Sequence, residues 1–175
     1  PFPVRCLGSE DTAAALRSLG ADIGDAGATV IGEDALADHA HEAAARLDAG
    51  DTVVVLAQPP DTAAHFPVPV ELHAVATVWG STVFHFTTDE GPIPSLPRRN
   101  VLVAEDSTVH AETVVTAVDG EAFPHRPVVV AYKPVPGALT GTVVGEHRVG
   151  SGRLVLCQYN LSRPAAARDA AARAI

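Results

Sequence analysis

The sequence predicts an α/β fold with a mainly parallel central sheet under helices, followed by a C-terminal part rich in antiparallel strands. Apolar runs alternate with helix-like segments over the first 60 residues. Aromatic residues make up only 5% of the 175-residue chain, so the core is built mainly from Val, Leu and Ala, which suits strands buried beneath helices. Beyond residue 100, Val-rich runs separated by Gly-containing turns are typical of antiparallel strands.

A short apolar strand over residues 4–7 and the helix after it open the chain. Ser9 or Asp11 is suited to cap this helix, because a hydroxyl or carboxylate oxygen accepts the free amide protons of a first turn. Gly20 is placed to act as its C-cap. The unit therefore has the start and stop signals of a helix that follows a strand.

A second strand and helix follow, and a third strand completes the pattern. The second strand covers residues 28–31, and the helix covers 35–48 and ends before Gly50. The third strand, 52–57, is a continuous apolar run of the kind buried on both faces. Together these elements imply right-handed parallel crossovers and a Rossmann-like or flavodoxin-like start. One helix face has apolar residues at the spacing of a buried stripe, namely Leu36, Ala40, Ala43, Ala44 and Leu47.

Residues 61–97 are predicted to be irregular, because prolines interrupt them and remove hydrogen-bond donors. Short strands are predicted within this stretch at 73–79 and 82–87, and a further buried strand at 100–104. Long connections in compact domains are typically functional. The candidate contact residues of this stretch are Trp79, Phe84 and Phe86.

The last third of the chain is predicted to be β-rich. Residues 113–118 (TVVTAV) and 127–132 (PVVVAY) lie on either side of Asp119-Gly120 and suggest antiparallel strands, since Asp-Gly favours a hairpin turn. A second hairpin is predicted around Gly150-Ser151-Gly152. An Ala-rich helix is predicted after Ser162, with Pro164 near its first turn.

The string from Val149 to Gln158 (VGSGRLVLCQ), with Leu161, Pro164 and the Ala-rich stretch after it, resembles a known closing motif. It is similar to the end of class I glutamine-amidotransferase-like domains that occur as accessory modules in glycoside hydrolases. Residues 30–33 (VIGE) and 49–56 (AGDTVVVL) resemble the front half of the same modules. The resemblance implies a flavodoxin-like three-layer sandwich, as in the C-terminal regions of family 2 glycoside hydrolases and in β-galactosidase trimerisation-type domains.

The resemblance also implies an accessory role within a larger enzyme. The sequence contains no methionine, even at position 1, and stops inside an Ala-rich helical pattern. We therefore expect residues 1–175 to form a single domain of a longer chain, a bacterial glycoside hydrolase. The expected partners are other domains of that chain, a second copy in a homo-oligomer, or carbohydrate.

The residues needed for amidotransferase catalysis are not in the expected place. Such an enzyme uses a Cys on a sharp turn between a strand and a helix, with a His and an acid as partners. After the third strand this chain has residues 57–60 (AQPP), whereas Cys6 and Cys157 lie within predicted strands, as buried reduced thiols. We expect no catalytic residues, no cofactor and no glutaminase activity.

An alternative is a stand-alone small-ligand-binding protein or hydrolase. Open α/β sheets bind ligands beyond the carboxyl ends of their strands, where Ser9, Glu33 and Gln58 are expected. The motif Gly-x-Ser-x-Gly of serine hydrolases is absent, and Ser9 also suits a helix cap. The alternative therefore depends on whether a cleft forms at this edge.

Charge and residue spacing exclude several other classes. The net charge of −9 and the absence of clustered Lys and Arg argue against nucleic-acid binding. No apolar run approaches the roughly 20 residues of a membrane span. His39 and His41 point away from each other on a helix, and no metal-binding spacing is present. Two cysteines are too few for a disulfide framework, which favours a cytoplasmic location.

Overall fold

The computed structural model describes residues 1–74, 84–87, 101–102, 111, 113–122, 126–132 and 140–161. Its helices are α1 (Glu10–Ser18), α2 (Leu36–Asp48) and a 3-10 helix (Pro60–His65). Its strands, in chain order, are β1 (Phe2–Leu7), β2 (Ala21–Ile23), β3 (Ala28–Ile31), β4 (Thr52–Val55), β5 (Val70–Ala74), β6 (Phe84–Thr87), β7 (Val101–Leu102), β8 (Thr113–Val118), β9 (Glu121–Ala122), β10 (Arg126–Tyr132), β11 (Thr140–Val149) and β12 (Gly152–Cys157).

The strands form one mixed sheet, so the predicted α/β class is confirmed. Along its main path the order is β2-β1-β3-β4-β12-β11-β10-β6-β7. The pairings from β2 to β12 are parallel, and those from β12 to β7 are antiparallel. Strands β5 and β9 pair with β8, which in turn pairs with β11. The strand β12 therefore joins the parallel and antiparallel parts.

The two faces of the sheet carry separate apolar cores. Side chains alternate between the faces of a strand, so neighbours such as Val30 and Ile31 enter different cores. The α1-side core consists of Val4, Leu16, Val30, Leu56, Ala111, Val114, Val143, Val144, Cys157, Tyr159 and Leu161. The α2-side core consists of Ile31, Leu36, Ala43, Leu47, Val53, Val55, Phe66, Val70, Leu72, Val115, Val118, Leu154 and Leu156. Helices α1 and α2 thus pack on opposite faces.

The predicted N-cap of α1 is confirmed, whereas its C-cap is Leu19, with Gly20 as the residue after it. The Ser9 hydroxyl oxygen accepts a hydrogen bond from the Thr12 amide at 3.2 Å, which makes Ser9 rather than Asp11 the N-cap. Gly20 follows the helix with a φ of 97°, in the left-handed region that glycine adopts without strain. The short strand β2 follows at once and was not predicted.

The predicted face of α2 is also confirmed. Leu36, Ala43 and Leu47 are buried, and Ala40 and Ala44 are half-buried. The helix begins after Ala35, which provides no side-chain cap. The amide of its first residue is satisfied from another strand, as described below.

The Asp119-Gly120 turn is confirmed, but the predicted partner strand is wrong. Asp119 and Gly120 have φ values of 52° and 78°, as in a two-residue hairpin turn. Such a turn reverses the chain at once, so β8 pairs with β9. The run PVVVAY instead lies in β10, which pairs with β11 and β6.

The hairpin around residues 150–152 is confirmed as β11–β12. Val149 pairs with Gly152 across a two-residue turn. A Cβ atom at Gly152 would lie 2.4 Å from the carbonyl oxygen of Leu47. Glycine is therefore required where β12 passes the end of α2.

The stretch 61–97 contains more regular structure than predicted. It includes most of the 3-10 helix and all of β5, which begins at Val70 instead of residue 73. Strands β6 and β7 lie within the predicted ranges 82–87 and 100–104. Trp79 and the predicted helix after residue 161 lie outside the described residues.

No helix in the described parts of the chain is both long enough and apolar enough to span a bilayer.

Candidate functional site

A cleft lies at the carboxyl edge of the parallel strands. Because β1, β3, β4 and β12 run in the same direction, the segments after them meet at one edge of the sheet. The cleft there has a volume of about 250 Å³. Its polar lining residues are Glu33, Asp34, Gln58, Thr113 and Asn160. Two of the three residues predicted for this edge, Glu33 and Gln58, are therefore brought together.

Gln58 holds the turn after β4 against the start of α2. Its side-chain oxygen accepts a hydrogen bond from the Leu36 amide at 3.1 Å. Its side-chain nitrogen donates to the carbonyl oxygens of Gly32 and Leu56 at 2.8 and 2.9 Å. Only 1% of Gln58 is exposed, so both amide protons are used inside the protein. The Gln58 side chain is a structural group and offers no free donor to a ligand.

A second buried glutamine lies beneath the same cleft. The Gln158 side-chain oxygen accepts hydrogen bonds from the Gln58 amide at 3.2 Å and from the Thr113 hydroxyl at 2.7 Å. The Gln158 amide donates to the carbonyl oxygen of Val143 at 2.7 Å. These bonds join β4, β8, β11 and β12 at one point. The floor of the cleft is therefore a buried polar network, in which the Gln158 side-chain nitrogen has no hydrogen-bond partner among the described residues.

Glu33 contacts the segment that follows β12. A carboxylate oxygen of Glu33 accepts a hydrogen bond from the amide of Leu161. Leu161 is 4% exposed and belongs to the α1-side core. The segment from Gln158 to Leu161 thus passes from the end of β12 to the turn after β3.

The crevice between β1 and β3 is narrow at its base. The Gly32 amide donates to the Leu7 carbonyl oxygen at 2.7 Å. A Cβ atom at Gly8 would lie 3.0 Å from the Cα atom of Gly32. Parallel α/β sheets bind ligands at the switch point, where the connections of two neighbouring strands run in opposite directions. In this sheet the neighbouring strands are β1 and β3, and the backbones that follow them touch at Gly8 and Gly32.

The other predicted site residues have different positions. Ser9 is committed to capping α1 and is not among the described lining residues of the cleft. Phe84 and Phe86 lie on β6, for which the backbone alone is described, and Trp79 lies outside the described residues. Thr113 and Asn160 were not predicted, because strand pairings that local patterns do not reveal bring them to the same cleft as Gln58.

Neither cysteine is placed as an activated nucleophile. Burial raises the pKa of Cys157 to about 12, and the Tyr159 amide offsets this effect only in part. Burial also raises the pKa of Cys6, against the opposing charge of Arg17. Both cysteines are free thiols within strands, as predicted, but only Cys157 is buried, whereas Cys6 is half-buried because it lies at the margin of the α1-side core. Since a thiolate is the reactive form, burial disfavours the reactive form of both thiols.

Metal-binding groups do not cluster in the part of the chain that the structure describes, where no three His, Cys, Asp or Glu side chains come together.

Comparison with known proteins leaves the chain without an assigned family: no protein-family model matches it, and no curated protein matches it significantly.

Proposed function

We propose that the chain is a single flavodoxin-like domain with a three-layer arrangement. The order of its parallel strands, β2-β1-β3-β4-β12, corresponds to the 2-1-3-4-5 order of doubly wound flavodoxin-like sheets. The packing of α1 and α2 on opposite faces supports the same assignment. The antiparallel strands beyond β12 are an addition to that arrangement.

The function that we propose for this domain is accessory and non-catalytic, within a bacterial glycoside hydrolase. In this proposal it is a glutamine-amidotransferase-like module of a family 2, β-galactosidase-like parent. It supports carbohydrate hydrolysis by packing against other domains, by shaping one wall of the substrate cleft, or by contacts between copies of the chain.

The observation that carries this proposal is the set of hydrogen bonds that Gln58 makes in the turn after β4. An amidotransferase nucleophile would need an exposed thiol at such a turn, close to a base. The turn here contains Gln58 and no Cys, and the Gln58 side chain makes three hydrogen bonds inside the protein. A turn built in this way supports a structural role for the whole edge.

A small-ligand-binding protein or hydrolase is the second candidate. The cleft of about 250 Å³ beside Glu33 and Asp34 is the observation in its favour. A ligand of that size would bind against the floor formed by Gln58 and Thr113. The Gln58 side-chain nitrogen and the Thr113 hydroxyl already donate hydrogen bonds inside the protein, which makes this candidate the weaker one.

The decisive experiment is to sequence the source locus on both sides of the segment that encodes this chain. We expect one continuous reading frame that also encodes a glycosidase catalytic domain. A start codon directly before Pro1 together with a stop codon after Ile175 would exclude the accessory role. The second candidate would then be tested first.

A glutaminase assay provides the biochemical counterpart. The purified chain is incubated with glutamine, and ammonia release is compared with that of the Cys6→Ala/Cys157→Ala double variant. We expect both proteins to match the buffer blank. Ammonia release that the double variant lacks would contradict the non-catalytic assignment.

A further inference from the structure

We propose that residues 158–161 form a strap across the carboxyl edge of the sheet, and that Glu33 is the latch that holds it closed. The proposal concerns access to the crevice between β1 and β3. It goes beyond the accessory role, and it applies to this fold whichever protein the domain serves.

One end of the strap is fixed where β12 ends. The Gln158 amide donates to Val143 of β11, and the Gln158 side chain accepts from the Gln58 amide and the Thr113 hydroxyl. Tyr159 forms a bridge with Ala111 and is 2% exposed. Hydrogen bonds from several strands therefore hold this end.

The other end is fixed near β1 and β3 by two contacts of Leu161. Its amide donates to the Glu33 carboxylate, which belongs to the turn after β3. Its side chain joins the α1-side core with Val4 of β1 and Leu16 of α1. Between the two ends, Asn160 is half-buried and lines the cleft.

The path of the strap determines which part of the sheet edge it covers. The segment leaves β12, passes the end of β4 at Gln58 and reaches the turn after β3 at Glu33. Ligands of doubly wound sheets enter from this side. The chain therefore lies across the crevice between β1 and β3, and a molecule that enters that crevice has to displace Leu161 first.

The Leu161 end is the one that opens. Among the contacts of the described residues, the Leu161 end is held by its amide bond to Glu33 and its apolar side chain, whereas the Gln158 end is held by hydrogen bonds from three strands or strand ends. Protein segments open locally according to the number of buried contacts that hold them. Release of Leu161 would uncover the α1-side core, against which Cys6 packs.

Cys6 serves as a natural reporter of this opening. In a Cys157→Ala background, Cys6 is the single thiol. It is half-buried in the closed domain, so opening is measured as the increase of its maleimide modification rate over the rate of the closed domain at constant pH. The variants are Glu33→Ala, which removes the acceptor, Glu33→Gln, which retains an acceptor oxygen, and Leu161→Ala, which removes the apolar contact. Asp34→Asn is the matched control, because Asp34 is adjacent to Glu33 and Asn tolerates its φ of 57°.

We expect Glu33→Ala to raise the population of the open form roughly tenfold, because a hydrogen bond to a charged group is lost, and the Cys6 rate to rise above its value in the closed domain. Leu161→Ala should raise the rate as well, Glu33→Gln should lie between, and Asp34→Asn should leave the rate unchanged. Amide exchange measured by NMR should increase at Leu161 and stay slow at Val54 in β4. Unchanged Cys6 rates in both Glu33→Ala and Leu161→Ala would overturn the proposal. Equal acceleration of exchange at Leu161 and Val54 would also overturn it, since the whole domain would then be unfolding.

Discussion

The side-chain oxygen of Gln58 accepts a hydrogen bond from the amide of Leu36, 3.1 Å away, and so caps α2 from the end of a different strand. The helix lacks a side-chain cap of its own at Ala35. Helix starts leave amide protons without intrahelical partners, and here a residue 22 positions later supplies the acceptor.

Gln58→Ala should destabilise the domain by about 3 kcal/mol, because the buried Leu36 amide loses its acceptor and the carbonyl oxygens of Gly32 and Leu56 lose a side-chain donor. Urea denaturation would measure the change. Glu121→Gln, at an exposed position of β9, is the control and should change stability by less than about 0.5 kcal/mol. A Gln58→Ala domain as stable as the control would show that water replaces these bonds without cost.

Ser9→Ala should cost about 1 kcal/mol, because it removes the oxygen that accepts the Thr12 amide at the start of α1. The same helix provides a matched control in Ser18→Ala. The Ser18 hydroxyl is exposed and donates to the carbonyl oxygen of Ala15, so its loss should have little effect. Equal thermal shifts for the two variants would exclude a specific capping role for Ser9.

Gly152→Ala should destabilise the domain by about 3 kcal/mol or prevent folding. The added methyl group would lie 2.4 Å from the carbonyl oxygen of Leu47, so β12 and α2 could not both keep their positions. Gly24→Ala is the control, because a Cβ atom there meets no atom within 4 Å. Melting temperatures that fall by the same amount in both variants would argue against this close packing.

Stability should fall in alkaline solution because of Cys157. Burial raises the folded-state pKa of this thiol from 9.0 to about 12. Above pH 9 the unfolded thiol ionises while the folded one stays protonated, so unfolding becomes easier by about 1.4 kcal/mol per pH unit up to pH 12. Below pH 9 this group contributes no pH dependence.

The measurement compares urea denaturation of the wild-type domain and Cys157→Ala at pH 7.5, 9 and 10.5. Alanine lowers stability at every pH through the cavity that it leaves. The difference between the two proteins should shrink at pH 10.5, because only the wild type can ionise at position 157. A difference that stays constant from pH 7.5 to 10.5 would show that Cys157 is reached by solvent in the folded state.

Local patterns in the sequence were sufficient for the first half of the fold. Apolar runs alternate with helical segments that end at a glycine, and this pattern predicted β1, β3, β4 and both helices. It was sufficient because the residues that begin and end each element lie close together in the sequence. The strand β2 was missed, since three residues between Gly20 and Gly24 are too few to show a period.

Long-range pairing is the part that local patterns could not reveal. The pairing of β12 with β4 joins residues about 100 positions apart, and the partner of β8 depended on the tightness of the turn at Asp119. Glu33 and Gln58 were placed at the correct edge by the rule that parallel strands end together. Their hydrogen bonds to Leu161, Leu36 and Gln158 became visible only with the tertiary structure.

The position of β12 between β4 and β11 also has a consequence for synthesis on the ribosome. Val53 of β4 cannot pair with Leu154 of β12 until Leu154 has been synthesised. At typical translation rates the interval between the two residues is roughly 5–20 s. During that time the growing chain presents an unpaired, Val-rich strand edge, which can associate with other chains. Premature termination before Gly152 would leave that edge open permanently, so nascent chains of this domain are expected to need protection by chaperones until the last hairpin emerges.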